Sequence, residues 1–100
     1  MKELNVHVTE GHIKHGIKRS CSYSPVLNAI NDKLKPNYWA TLSQKGCIEI
    51  HLFDEWEGSI CQFAFFPNTS TALWMYKFDN GLCVEPFKFT LCWIPESMIL

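Results

Sequence analysis

Two short segments gather ionisable side chains closely enough to act together. The first, His12-Ile13-Lys14-His15-Gly16-Ile17-Lys18-Arg19, sets two histidines three residues apart among three cations. Beside a helix N-terminus, such a run would hold a phosphate group through charge and orphan amide hydrogens. As ordinary surface it is a solvated helix and loop, the commoner use of a charge run. Nucleic acid is therefore one partner class to expect, with Lys14, Lys18 and Arg19 as its contacts. His12, His15 and Cys21 supply imidazole and thiol donors for a metal, yet a fourth ligand at zinc-site spacing is missing. The residues thus assign no metal, no cofactor and no catalytic set.

The second segment, Asp54-Glu55-Trp56-Glu57-Gly58, sets one large aromatic among three carboxylates on an expected turn. A tryptophan ringed by charge offers a large desolvable area inside a polar rim, the make-up of an interface anchor. The bland alternative folds the indole over a sheet edge and leaves the acids hydrated. Among the thiols, Cys21 is the candidate for reactivity. It precedes a helix start and follows Lys18 and Arg19, where positive charge favours a thiolate. Its ordinary use is as a small buried hydrophobe. Cys47, Cys61 and Cys92 fall in strand-like runs and read as packing residues. Trp39, Trp74, Trp93, Phe63, Phe65, Phe87 and Phe89 are rich enough for a base-stacking platform. They lack interleaved Arg and Lys and sit at strand or helix periods, so core packing is expected.

The elements that must position these groups follow from hydrophobic period and punctuation. Leu4, Val6 and Val8 alternate with Asn5 and His7 as a half-buried strand does. Thr9 can cap a short helix that Gly16 stops in a left-handed conformation. Ser24-Pro25 opens a helix carrying Val26, Leu27, Ile30 and Leu34 on one face, ended by Pro36. Residues 38–42 and 47–53 read as a hairpin across Ser43-Gln44-Lys45-Gly46. Ile48, Ile50 and Leu52 then share a face opposite Cys47, Glu49 and His51. Residues 59–66 form a third strand with Cys61, Phe63 and Phe65 on one side. Pro67 breaks that run, Thr69 or Ser70 caps a helix through Phe78, and Asp79-Asn80-Gly81 ends it. A last strand carries Phe87, Phe89, Leu91 and Trp93. The expected class is α+β, a mostly antiparallel sheet of four to five strands with two to three helices packed on it.

With 100 residues, 47% of them hydrophobic, the chain has the size and apolar content of one domain spanning 1–100. The net charge of −1 gives no global pull toward nucleic acid or anionic membrane. Residues 1–50 hold seven basic against four acidic side chains, and residues 51–100 hold two against six. An electrically two-faced molecule follows if the halves do not interleave. Five cysteines, without a C-x-x-C pair or a secretory segment, read as free thiols of a reducing cytoplasm. No apolar run approaches membrane-spanning length. The apolar and aromatic faces are numerous for so small a core, which keeps a homodimer in view.

His12-Ile13-Lys14-His15-Gly16, the run from Ser20-Cys21 to Ser24-Pro25-Val26-Leu27-Asn28-Ala29-Ile30, and Phe78-Asp79-Asn80-Gly81 through Phe89 carry a resemblance together. They resemble a group of small phage, prophage and bacterial proteins with a His-Ile, Ser-Cys-x-x-Cys-Pro and Phe-Asp-x-Gly pattern. Here Ser24 stands where such proteins often have a second cysteine, which argues against a required dithiol. The resemblance implies a phage-like origin and a bacterial host cell. By analogy with small phage proteins, it also implies a host or defence protein as partner. Three expectations result: an interaction protein contacting its partner through Asp54, Glu55, Trp56, Glu57, Lys14, Lys18 and Arg19; a nucleic-acid binder using the 12–19 segment; and a thiol-dependent enzyme centred on Cys21.

Overall fold

Strict alternation of apolar and polar residues makes β1 (Lys2–Val8), with Leu4, Val6 and Val8 buried and their neighbours exposed. The computed structural model describes residues 2–56 and 58–100. After β1 come α1 (Glu10–His15), α2 (Pro25–Asn31), β2 (Tyr38–Leu42), β3 (Ile48–Asp54), β4 (Gly58–Phe65), α3 (Thr69–Asp79) and β5 (Phe87–Ile94). A 3-10 turn over Glu96–Met98 closes the order. The α+β class holds, with the strands divided between two antiparallel sheets: β1 with β5, and the meander β2-β3-β4.

The core lies between these sheets, with α2 packed against both β1 and β2. Leu27 and Ile30 of α2 meet Val6 and Val8 from one sheet and Ile48 and Ile50 from the other, all essentially excluded from water. Each such side chain contributes about 1.5–3 kcal/mol relative to exposure. Ser24 caps α2 by accepting the Leu27 N–H at 3.4 Å, and Pro25 occupies the first turn, as the Ser-Pro signal requires. The helix is shorter than its apolar spacing suggests. After Asn31 the chain tightens, with the Lys33 N–H donating to Ile30 and the Leu34 N–H to Asn31. Leu34 then leaves the helix and forms a lone antiparallel bridge with Ile99. The Lys35 N–H donates to the Met98 carbonyl at 2.8 Å, so the C-terminal segment is docked and Met98 is buried. Asn31 Oδ1 also accepts the Ala40 N–H at 2.7 Å, tying the end of α2 to β2.

Further details depart from the pattern-based expectations. Gly16 ends α1 in an extended conformation, not a left-handed one. Glycine is needed there because a Cβ would lie 2.4 Å from Pro25 Cγ. The cap of α3 is Asn68, whose side chain accepts the Thr71 N–H at 2.8 Å. At the other end of α3 the expected glycine stop is present, Gly81 being left-handed with φ +73°.

On β4 the register shifts: Phe63 faces Ile50 while Cys61 faces His51, so Gln62 is an extra, bulged residue. Phe63 and Phe65 pack against the core, whereas Cys61 turns to the opposite, outer face. Finally, the two halves of the chain interleave through β1–β5 pairing and through the turn at Lys18-Arg19 resting on α3.

Candidate functional site

The period of two that buries Ile48 and Ile50 sends Glu49, His51 and Phe53 to the outer face of the three-stranded sheet. Trp39 of β2 lies directly across from His51. Its indole stacks on the imidazole, with ring centres 5.9 Å apart and planes 19° apart, and makes a tilted contact with Phe53 at 6.4 Å. On the far side the β4 bulge brings in Cys61. His51 Nε2 and Glu49 Oε1 are 3.2 Å apart, while His51 Nδ1 is buried without a partner. The Cys61 thiol points to the Phe63 carbonyl at 3.7 Å, and no hydrogen bond joins it to His51. Donor atoms of Glu49, His51 and Cys61 all lie within 4.8 Å of one another, the one such mixed cluster among the described residues.

The same hairpin ends in the acidic turn. Asp54 pairs with Gly58, whose φ of +81° is the left-handed conformation that glycine permits. Asp54 Oδ1 accepts the Trp56 N–H at 2.8 Å, an Asx-type contact that shapes the turn. Trp56 is 93% exposed and Glu55 is also exposed, so the indole is not folded over a sheet edge. Glu57 lies outside the described residues.

The basic segment rests against a different element. Lys14 stands exposed on α1. Arg19 is left-handed, with φ +59°, and its backbone N–H donates to Asp79 Oδ1 at 2.9 Å. Lys18 Nζ sits over Gly81, at the C-terminal end of α3, where cationic charge complements the helix dipole. Part of this segment therefore has a structural role.

His12 does as well. It completes a capping box: Nδ1 accepts the Thr9 N–H at 2.9 Å, and Nε2–H donates to Asp32 Oδ2 at 2.6 Å. His15 Nδ1–H donates to the Gly11 carbonyl. Both nitrogens of His12 are thus used locally, and His12, His15 and Cys21 do not form a donor cluster among the described residues. Cys21 is exposed rather than packed, with Ser22 Oγ 3.9 Å from its sulfur and no histidine bonded to it.

Of the aromatics, Trp74 stacks on Phe78 and makes a tilted contact with Phe87, and its indole N–H donates to the Glu85 carbonyl, which is a packing role. Trp93 departs from the core expectation. It is 71% exposed with φ +65°, at the irregularity where Lys2 pairs with Ile94 and Leu4 with Leu91. Cys61 and Cys92 are likewise exposed, not packed, whereas half-buried Cys47 donates to the Phe65 carbonyl at 3.4 Å.

The Glu49–His51–Cys61 cluster was missed from sequence because the bulge at Gln62 has no marker residue. Only the shared parity of Glu49 and His51 pointed toward it. Family models, curated proteins and solved structures all give no match to this chain.

Proposed function

We propose that the protein is a non-enzymatic interaction module that docks a protein partner through the tip of the β3–β4 hairpin and the adjoining outer sheet face. The observation that carries this reading is Trp56, 93% exposed on a turn shaped by Asp54. An indole offers on the order of 200 Å² of desolvable area. Tryptophan is among the residues enriched at binding hot spots, which lie inside a rim that excludes water. Asp54 and Glu55 supply an acidic rim, which suits a partner surface with basic residues around an apolar pocket. Phe53 and Trp39 extend the apolar surface along the sheet from the tip. The resemblance to small phage and bacterial proteins supports a host or defence protein of a bacterial cell as the partner class. Lys14, Lys18 and Arg19 form a second, separate contact surface, since Lys18 and Arg19 rest on α3.

The test is affinity capture from bacterial lysate, with and without nuclease, using the wild-type chain and Trp56→Ala. A discrete protein retained after nuclease, and lost with Trp56→Ala, is expected. Retention that disappears with nuclease and falls steeply with salt would move the function to nucleic-acid binding by the 12–19 segment. Retention unchanged by Trp56→Ala and by reversal of Lys18 and Arg19 would reject both surfaces.

A further inference from the structure

We propose that Glu49, His51 and Cys61 form a three-donor site for a thiophilic divalent cation of the zinc class. This goes beyond partner docking and does not depend on it. Carboxylate, imidazole and thiol are the three side-chain donors zinc accepts, and the inclusion of sulfur disfavours calcium and magnesium. In an occupied tetrahedral site, nitrogen and oxygen ligands at about 2.0–2.1 Å lie about 3.3 Å from each other. Glu49 Oε1 and His51 Nε2 are already 3.2 Å apart, and the whole cluster falls within 4.8 Å, so closure needs only side-chain adjustment at Cys61.

The backbone prepares this convergence. Glu49 and His51 share a face of one strand, and the bulge at Gln62 moves Cys61 onto that face from the side that holds Phe63 and Phe65. The Trp39 indole fixes the plane of the imidazole. All three donors stand on paired strands, which hold ligands more precisely than loops do.

Binding is balanced as follows. The Cys61 thiol releases its proton to solvent as the metal–sulfur bond forms, and the imidazole hydrogen passes from Nε2 to Nδ1, freeing the Nε2 lone pair for the ion. Thiolate and carboxylate then neutralise the two charges of the cation. His51 Nδ1 has no partner in either tautomer, so binding adds no new unsatisfied atom. Cys61 is exposed, which leaves the fourth tetrahedral position to solvent.

The experiment titrates cobalt(II) into the full, reduced chain, follows the thiolate-to-cobalt charge-transfer band, and then displaces the cobalt with zinc. One metal per chain is expected, with a band that Cys61→Ser abolishes and that Cys21→Ser and Cys92→Ser leave intact. Glu49→Gln and His51→Gln should each weaken binding by about tenfold or more, at least what loss of a supporting residue costs. Circular dichroism of Cys61→Ser should match wild type, because the residue is exposed. Absence of a charge-transfer band, or a band that survives Cys61→Ser, would overturn the proposal.

Discussion

The two faces of β3 differ in everything but the backbone they share. Inward, Ile48 and Ile50 are fully excluded from water and interlock with α2 and β1. Outward, Glu49, His51 and Phe53 meet Trp39, Cys61 and the acidic hairpin tip, with polar donors and rings left accessible or half-buried. The inner face can be replaced only at the expense of folding. The outer face contributes little to the core and is free to serve recognition. Period-two alternation thus separates the buried core face from the face that carries the proposed docking surface and metal site within seven residues.

Substitutions can break this contrast, beginning with the inner face. Ile50→Ala removes a side chain with no route to solvent and should destabilise the fold by about 2–5 kcal/mol in denaturant unfolding. A loss below 1 kcal/mol would mean that the space between the sheets collapses easily. Gly16→Ala comes next. Its added carbon meets both Pro25 and the His12 carbonyl, so a loss of about 1–3 kcal/mol is expected by the same measurement. Ser24→Ala removes the cap of α2 and should cost about 1 kcal/mol. Trp56→Ala, on the outward tip, should change stability by no more than about 0.5 kcal/mol.

Much of the inner face is legible in the sequence. Alternation in β1 and β3, the Ser24-Pro25 start and the glycine at Gly46 each followed from local chemistry, and β1, β3 and the start of α2 formed near their expected bounds. The misses have two causes, the choice made by tertiary partners and an unusual residue in a local motif. Leu34 had helical spacing, but the docked C-terminal segment drew it into a bridge with Ile99. Thr9 was read as a cap, but its reciprocal partner His12 was not, because histidine stands where a capping box ordinarily has Glu or Gln.

Cys61 was assigned the parity of Phe63 until the bulge at Gln62 reversed it. A single inserted residue changes a thiol from core filler to a neighbour of His51, and no residue type announces it. At the candidate site, Asp54, Glu55 and Trp56 were legible as an acidic turn, while the exposure of Trp56 stayed open between an interface anchor and an indole folded over the sheet edge. The metal-donor cluster was not, since it needs the register of β4 as well as the sequence of β3.

Two exposed tryptophans allow the most direct test of the docking claim. Trp56 stands on an acidic tip beside the outer face, and Trp93 stands on the other sheet, at the β1–β5 irregularity. Partner affinity should be measured for wild type, Trp56→Ala and Trp93→Ala under one salt condition, once capture has supplied the partner. Loss of at least about 2 kcal/mol, roughly thirtyfold in Kd, is predicted for Trp56→Ala alone, as befits a hot-spot anchor. Undiminished affinity for Trp56→Ala, whatever Trp93→Ala does, would contradict docking through the hairpin tip.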